Sequence, residues 1–243
     1  VGAKQNRIIN LTILVAAHSK IDIPVSCVEA GRWSYRSREF KSGKRSMYAR
    51  ARASKTAHVS ACMASSGGRR SDQSAVWDDI EGMASALDVR SATRSMLDIY
   101  DDYEEDLEAY QSAFKAHDEQ VGAVFAVDGK VQGLELFDSS TTFAHYLERL
   151  VSSYALGSLR NEATHDAVPP ASVEGFLEGL KRAKTRQFEA LGEGEDVRLS
   201  GDALAGGALV AEGRVVHLAA FNLDDTGSVV RRHPSHWFGG RVE

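Results

Sequence analysis

The sequence predicts an α+β fold in which N-terminal strands are followed by central helices and then by two duplicated β-hairpins. Three patterns support this: β-branched runs near the start, apolar positions at helical spacing in the middle, and an internal repeat in the second half. With 43% hydrophobic and 26% charged residues in 243, the chain is long enough and apolar enough to bury a core. We expect one domain over residues 1–243, with any sub-boundary near 118–121.

The first thirty residues predict a pair of strands. Residues 8–15 are rich in β-branched side chains, and residues 21–28 alternate apolar with mostly polar positions. Pro24 has no backbone N–H group, which places the second strand at a sheet edge or a bulge. We expect the pair to belong to a larger sheet. Because the chain opens at Val1 without a Met, we also expect its natural start to lie further upstream.

Helices are predicted in the central region. The Ala-rich residues 44–64 favour a helix, although part of this stretch could equally be extended. After a Gly-Gly loop, Ser71 is expected to cap a second helix that has Asp72 in its first turn. A longer helix is predicted from about Ala92 to Ala116, with its acidic residues on the face opposite its apolar stripe.

The second half contains an internal repeat, because residues 122–137 align without gaps with residues 206–221. Asp128-Gly129 and Glu212-Gly213 stand at the centres of the two units. Asp-Gly is typical of a tight turn, since glycine adopts positive φ without steric cost. Each unit is therefore predicted to be a β-hairpin, and the two hairpins are predicted to be neighbours in one sheet. The helices predicted between them span 142–159 and 172–191.

Charge is distributed unevenly along the chain. From Arg32 to Arg70 there are eleven Lys or Arg residues and one acid, whereas residues 72–119 contain fourteen acids and three Lys or Arg. In one interpretation the two segments pack together and neutralise each other. In the other, the basic segment faces an anionic ligand such as a phosphorylated nucleotide. A nucleic-acid partner is not favoured, because the net charge is −5 and no nucleic-acid-binding motif is present.

The apolar runs and the cysteines bear on the location of the protein. No apolar run approaches the roughly 18 residues that a membrane-spanning helix needs, so we expect no membrane association. Cys27 and Cys62 are the only cysteines, too few for a disulfide scaffold. This usage is typical of a reducing compartment, and we expect a cytoplasmic protein.

The first candidate site is the loop that leads into the second predicted helix. The free N–H groups and the positive dipole end of a helix favour a phosphate, and Arg70 and Gln73 could add donors. Asp72 would oppose a phosphate unless it acts as a catalytic base or a metal ligand. The alternative is an ordinary capped helix with solvated arginines.

The second candidate site follows the second predicted strand. Glu29 could act as a catalytic base, Arg32 or Arg36 could clamp an anion, and Trp33 could stack on a nucleotide base. The alternative is a Glu–Arg salt bridge with Trp33 in the core. If the chain has one functional site, both candidate segments should line it. The other candidate ligand-binding residues, chosen for their amide and guanidinium donors, are Gln5, Asn6 and Arg7.

The usual catalytic motifs are absent from the sequence. There is no Walker loop, His-Glu-x-x-His, Gly-x-Ser-x-Gly or Cys-x-x-Cys. The sequence therefore does not establish an enzyme, and it indicates neither a metal site nor a particular cofactor. His217 lies in the second repeat unit and is expected to be a structural histidine.

Three stretches resemble a bacterial family, the ADP-ribosylglycohydrolase- and rhodanese-phosphatase-associated proteins. They are Val1–Arg7, Val25–Arg36 and Ser71–Trp77, and the hairpin repeat fits as well. Members usually begin with a strand-rich segment that this chain lacks. The resemblance links the chain to NAD and ADP-ribose metabolism by gene neighbourhood and implies no settled activity. It suggests a protein that binds or processes an ADP-ribose-like or other phosphorylated nucleotide, or a non-catalytic interaction module that accompanies such enzymes.

Overall fold

The computed structural model describes residues 5–32, 42–159 and 167–224, and it has the mixed α+β composition predicted from the sequence. The strands are β1 (Arg7–Ile9), β2 (Val25–Cys27), β3 (Gly122–Val127), β4 (Lys130–Phe137), β5 (Lys184–Glu189), β6 (Glu195–Gly201), β7 (Leu204–Ala211) and β8 (Arg214–Asn222). The helices are α1 (Ala49–Ser66), α2 (Gln73–Ala86), α3 (Met96–Asp102), α4 (Glu104–Ala113), α5 (Ser140–Ser158) and α6 (Pro170–Lys181).

The predicted repeat forms two adjacent hairpins in one antiparallel sheet of order β3-β4-β8-β7-β6-β5. Both turns have positive φ at their two central residues, Asp128-Gly129 and Glu212-Gly213, as a two-residue hairpin turn requires. The register shifts between Phe125 and Ala126 in the first unit and at the equivalent step, between Leu209 and Val210, in the second. The duplication therefore extends to an equivalent irregularity in each hairpin.

The prediction of a helix over 172–191 was wrong in its second half. Helix α6 ends at Lys181, and the chain then forms β5 and β6. Residues 184–191 have good helix formers, but pairing with β6 overrides this weak local preference. Similarly, the long helix predicted to Ala116 is broken at Tyr103 into α3 and α4.

The N-terminal strands are shorter than predicted and, within the described residues, pair only with each other. Ile9 pairs with Val25, and the carbonyl of Pro24 accepts a hydrogen bond from Asn10. The expected membership of a larger sheet is therefore not found in the described part of the chain. Val28 then enters the core that α1 to α5 share.

Helices cover both faces of the six-stranded sheet. Phe176 and Leu180 of α6 pack against Leu199 and Ala208 on one face. On the other face, the small residues Ala49 and Ala53 of α1 pack against Tyr154 of α5 and Phe221 of β8. Because the alanine side chains are small, the backbone of α1 comes close to strands β7 and β8 on this face. Of the helices in the described residues, none has the length and apolar character required to cross a membrane.

Candidate functional site

Glu29 lies in a buried cluster that ties three segments together. Its carboxylate forms a salt bridge with Arg32 at 2.8 Å and accepts hydrogen bonds from the Asn6 N–H at 3.1 Å and the Thr93 hydroxyl at 3.0 Å. The amide of Gln5 donates to the Glu29 carbonyl at 2.8 Å. Burial raises the pKa of Glu29, but these partners outweigh burial and hold that pKa below its ordinary value. The carboxylate is thus ionised and engaged within the fold.

Asp72 occupies the helix start where a phosphate was expected. Its carboxylate accepts hydrogen bonds from the N–H groups of Ser74 at 2.9 Å and Ala75 at 3.2 Å. Asp72 is therefore the capping residue of α2, in place of the predicted Ser71. A bound phosphate would compete with this carboxylate for the same N–H groups.

Strand β2 joins the two segments that were expected to line one site. The Gln73 side chain accepts a hydrogen bond from the Cys27 N–H at 2.9 Å and donates to the Cys27 carbonyl at 2.8 Å, two residues before Glu29. Arg70 is exposed and hydrogen-bonds to the Cys62 thiol. Burial raises the pKa of Cys62, but the hydrogen bonds from Arg70 and Ser66 outweigh burial and hold that pKa below its ordinary value. Arg7 is exposed on β1. Trp33 and Arg36 lie outside the described residues.

A second polar group, which sequence reasoning did not identify as a site, lies between α1 and the sheet. The fully buried Glu135 carboxylate pairs with Arg52 at 2.5 Å and accepts hydrogen bonds from the Tyr154 hydroxyl at 3.2 Å and from His217 Nε2 at 3.0 Å. The other ring nitrogen of His217, Nδ1, is 2.6 Å from the Thr12 hydroxyl. We call these five residues the Glu135 network.

The repeat explains how the network is placed on the sheet. The residue equivalent to Glu135 in the other repeat unit is the small Ala219, and the residue equivalent to His217 is Gly133. Gly133 also leaves the space that the Tyr154 hydroxyl fills, because a Cβ there would lie 2.8 Å from that oxygen. The sequence signal for this network was a repeat position that carries a polar residue in one unit and a small residue in the other.

Next to the network lies a group of three cations, Lys55, Arg69 and Arg198, which we call the cation cluster. Lys55 Nζ donates to the backbone carbonyls of Ile9 at 2.8 Å and Asn10 at 3.3 Å. Burial, together with Arg52 and Arg198, lowers the pKa of Lys55 to about 7. Within the described part of the chain, Lys55 is thus held by carbonyl dipoles and not by a carboxylate.

One carboxylate of the described residues, Asp196, accompanies the cation cluster. Arg198 Nε forms an ion pair with Asp196 Oδ1 at 2.8 Å, and neither Asp196 oxygen has a hydrogen bond of good geometry among the described residues. Burial raises the pKa of Asp196 and lowers that of Arg198, in both cases despite their mutual attraction. Arg69 donates to the Glu189 carbonyl, while its buried Nε has no hydrogen-bond partner in the described residues.

Gly207 and Arg186 determine the space around Arg198. A Cβ on Gly207 would lie 2.0 Å from a terminal nitrogen of Arg198, so the guanidinium lies across the backbone of β7. Arg186 of the edge strand β5 is exposed and pairs in register with Arg198. Arg186 therefore adds an exposed cation beside the cation cluster, at the β5 edge of the sheet.

The basic and acidic segments neutralise each other only in part. Arg45 of the basic segment pairs with Glu104 of the acidic segment at 3.0 Å. Arg52, however, pairs with Glu135, which is not part of the acidic segment. The described contacts of Lys55 and Arg69 are with backbone carbonyls. Among the described residues, no group of three or more His, Cys, Asp or Glu side chains is placed to hold a metal ion.

These features define an α+β protein whose central sheet carries a buried layer of charged side chains under a helix. The family model of the ARG and Rhodanese-Phosphatase-superfamily-associated Protein domain matches residues 1–221, and the chain belongs to this family. No curated protein and no solved structure gives a significant match to the chain.

Proposed function

We propose that this protein binds a phosphorylated nucleotide of the ADP-ribose type, with its phosphates held by the cation cluster of Lys55, Arg69 and Arg198. The observation that carries the proposal is the excess of three cations over one carboxylate, Asp196, in this part of the described structure. A buried charge without a counter-charge costs several kcal/mol (about 3–5 when a buried pair is broken). A bound anion would offset that cost.

The donors of the cluster suit a phosphate. Arg69 Nε is buried without a hydrogen-bond partner among the described residues, and Arg198 Nε faces the single carboxylate of Asp196 at 2.8 Å. Guanidinium groups bind phosphate oxygens through paired N–H donors, and the Lys55 amine can take up a proton near neutral pH to become an ammonium. The exposed Arg186 provides a basic approach from solvent.

The nucleotide part of the proposal comes from the family, whose name links it to ADP-ribosylglycohydrolase. The proposed phosphate site does not include Glu29 or Asp72, which were predicted as catalytic groups, because their carboxylates contact Arg32 and the start of α2. Of the ligand-binding candidates around them, Gln5 and Gln73 donate side-chain hydrogen bonds to the carbonyls of Glu29 and Cys27, and the Asn6 N–H donates to the Glu29 carboxylate.

Isothermal titration and thermal unfolding with ADP-ribose, NAD and pyrophosphate test the proposal. A ligand at about 100 times its Kd should add about 2.7 kcal/mol to the free energy of unfolding. Arg69→Gln should weaken ADP-ribose binding by about 10- to 100-fold, since a hydrogen bond to a charged group contributes roughly 1.5–3 kcal/mol. Arg214→Gln, at an exposed hairpin turn, is the matched control and should bind normally. Absence of binding by all three ligands, or equal affinity in the Arg69 variant, would contradict the proposal.

A second candidate function, a protein-interaction module, is favoured by the surface of α4. Phe114 and Tyr110, at the C-terminal end of this helix, are 55% and 37% exposed, and the first turn of the helix carries three acidic residues. Exposed aromatic residues with charged neighbours are typical of protein interfaces. Light scattering of the chain mixed with an ADP-ribosylglycohydrolase of the same organism tests this function. A complex that Phe114→Ser abolishes would support it, and two separate species in the mixture would argue against it.

A further inference from the structure

We propose that Thr12, His217 and Glu135 form a hydroxyl–imidazole–carboxylate relay, in which the Thr12 oxygen attacks the acyl carbon of an ester. The proposal assigns a catalytic site and goes beyond nucleotide binding. It rests on the order of contacts, with Thr12 Oγ1 2.6 Å from His217 Nδ1 and His217 Nε2 3.0 Å from Glu135 Oε2. A nucleophile within reach of a base, which a third group orients, is the recurring signature of covalent catalysis.

The proton positions follow from the charge of Glu135. As an ionised carboxylate beside Arg52, it can only accept hydrogen bonds, so His217 Nε2 carries the proton that it donates to Glu135. Nδ1 is then the acceptor, and the Thr12 hydroxyl donates to it. This polarity is the one needed for Nδ1 to remove the hydroxyl proton when Thr12 reacts.

The relay is held rigidly but is not closed off. Arg52 and the Tyr154 hydroxyl fix the Glu135 carboxylate, and the His217 ring stacks on Phe137 with centroids 4.5 Å apart. His217 remains 17% exposed, and Thr12 is half-buried. Glu135 is thus a positioning residue, whereas Thr12 and His217 lie where a substrate can meet them.

The reaction proceeds in two balanced steps. In the first, the Thr12 oxygen bonds to the acyl carbon, its proton passes to His217 Nδ1, and the ester C–O bond breaks as the leaving alcohol takes that proton. In the second, water attacks the acyl-threonine and gives a proton to His217, the acyl–Thr12 bond breaks, and Thr12 regains its proton. The products are a carboxylic acid and an alcohol, and no oxidant or other co-reactant is needed.

The relay adjoins the cation cluster but does not depend on it. Leu209 pairs with His217 on one side and with Asp196 on the other, so these two residues lie two strand spacings, or about 10 Å, apart. An ester whose phosphate lies at that distance from its acyl carbon would contact both the relay and the cation cluster. A neutral ester needs the relay alone, so its cleavage and ADP-ribose binding can fail independently.

Hydrolysis of p-nitrophenyl butyrate and labelling by a fluorophosphonate, with the modified peptide located by mass spectrometry, test the relay. We expect turnover and a label on Thr12. Thr12→Val and His217→Gln should each lower turnover by at least about 100-fold, and Thr12→Ser should restore labelling. Thr185→Val, the same substitution on the exposed edge strand, is the matched control and should react like the wild type.

The circular-dichroism spectrum of Thr12→Val should match that of the wild type, so that loss of activity reports the hydroxyl. Folded wild-type protein that neither hydrolyses the ester nor takes up the label would overturn the proposal. Undiminished turnover in Thr12→Val would overturn it equally.

Discussion

Replacing Glu135 with Gln should destabilise the protein more than any single change to a surface charge. Glu135 has no exposed surface, and its carboxylate is 2.5 Å from Arg52. Gln keeps the size and an acceptor for Tyr154, but it leaves the Arg52 guanidinium without a counter-charge. Breaking a buried ion pair costs about 3–5 kcal/mol. In a chain of this length that loss corresponds to a melting temperature lower by about 6–20 °C.

Thermal and urea unfolding of three variants measure this effect. Glu178→Gln breaks the exposed pair with Lys181 and should leave the melting temperature unchanged. Adding Arg52→Met to Glu135→Gln should recover part of the lost stability, because it removes the uncompensated charge. A loss below about 1 kcal/mol for Glu135→Gln would refute the assignment of a buried ion pair.

The pH dependence gives a second check on the same variant. Burial raises the pKa of Glu135, but Arg52 and His217 outweigh it and hold the pKa below its ordinary value. The carboxylate therefore contributes stability above the unfolded pKa of about 4.3, and this contribution is lost as the pH falls through the folded pKa. The stability difference between wild type and Glu135→Gln should be largest near neutral pH and should shrink in acid. A difference that stays constant down to the acid transition would contradict this reasoning.

Three further predictions concern the cation cluster and the glycines. Between pH 6 and pH 8 the affinity for ADP-ribose should fall, because Lys55, with its pKa of about 7, loses its proton over this range. Calorimetry should detect proton uptake on binding, and Lys55→Met should remove both the pH dependence and the proton uptake. Gly207→Ala should displace the Arg198 guanidinium, which a Cβ would approach to 2.0 Å, and weaken ADP-ribose binding in titrations, whereas Gly201→Ala, with its nearest contact at 3.4 Å, should not. In urea unfolding, Gly213→Ala should destabilise the protein by about 1 kcal/mol, because the φ of Gly213 is +71°. Gly179→Ala on α6, where a Cβ would meet nothing within 4 Å, should stabilise the protein by about 0.5–1 kcal/mol. A change of the same sign for both glycines would contradict this account.

The hairpins could be predicted because local chemistry and tertiary structure agree there. Asp128-Gly129 and Glu212-Gly213 favour tight turns wherever they occur, and the alternation around them specifies strands. By contrast, β5 could not be predicted from residues 184–189, because an exposed edge strand carries little apolar alternation. Its structure depends on pairing with β6, a contact that no local pattern encodes.

The candidate sites show the same difference between local contacts, which a sequence can indicate, and contacts between remote segments, which it cannot. Glu29 and Arg32 are three residues apart, so the sequence could offer their salt bridge as an interpretation of the pair. The Glu135 network joins residues as distant as Thr12 and His217, 205 positions apart, and Lys55 meets Arg198 only because α1 lies on β7. Histidines and arginines at such separations have no visible partners in a sequence, so the sequence predicts only a structural role for His217.

The sequence by itself determined the α+β class, the duplicated hairpins, the uneven charge and the family. These properties depend on composition, periodicity and turn chemistry, which act over a few residues at a time. Only the tertiary structure decided that Asp72 caps a helix, that Glu135 is buried against Arg52, and that three cations share one carboxylate among the described residues. The physical reason is that burial and the distance between charges set the free energy of an ionised group, and both arise only when remote segments pack together.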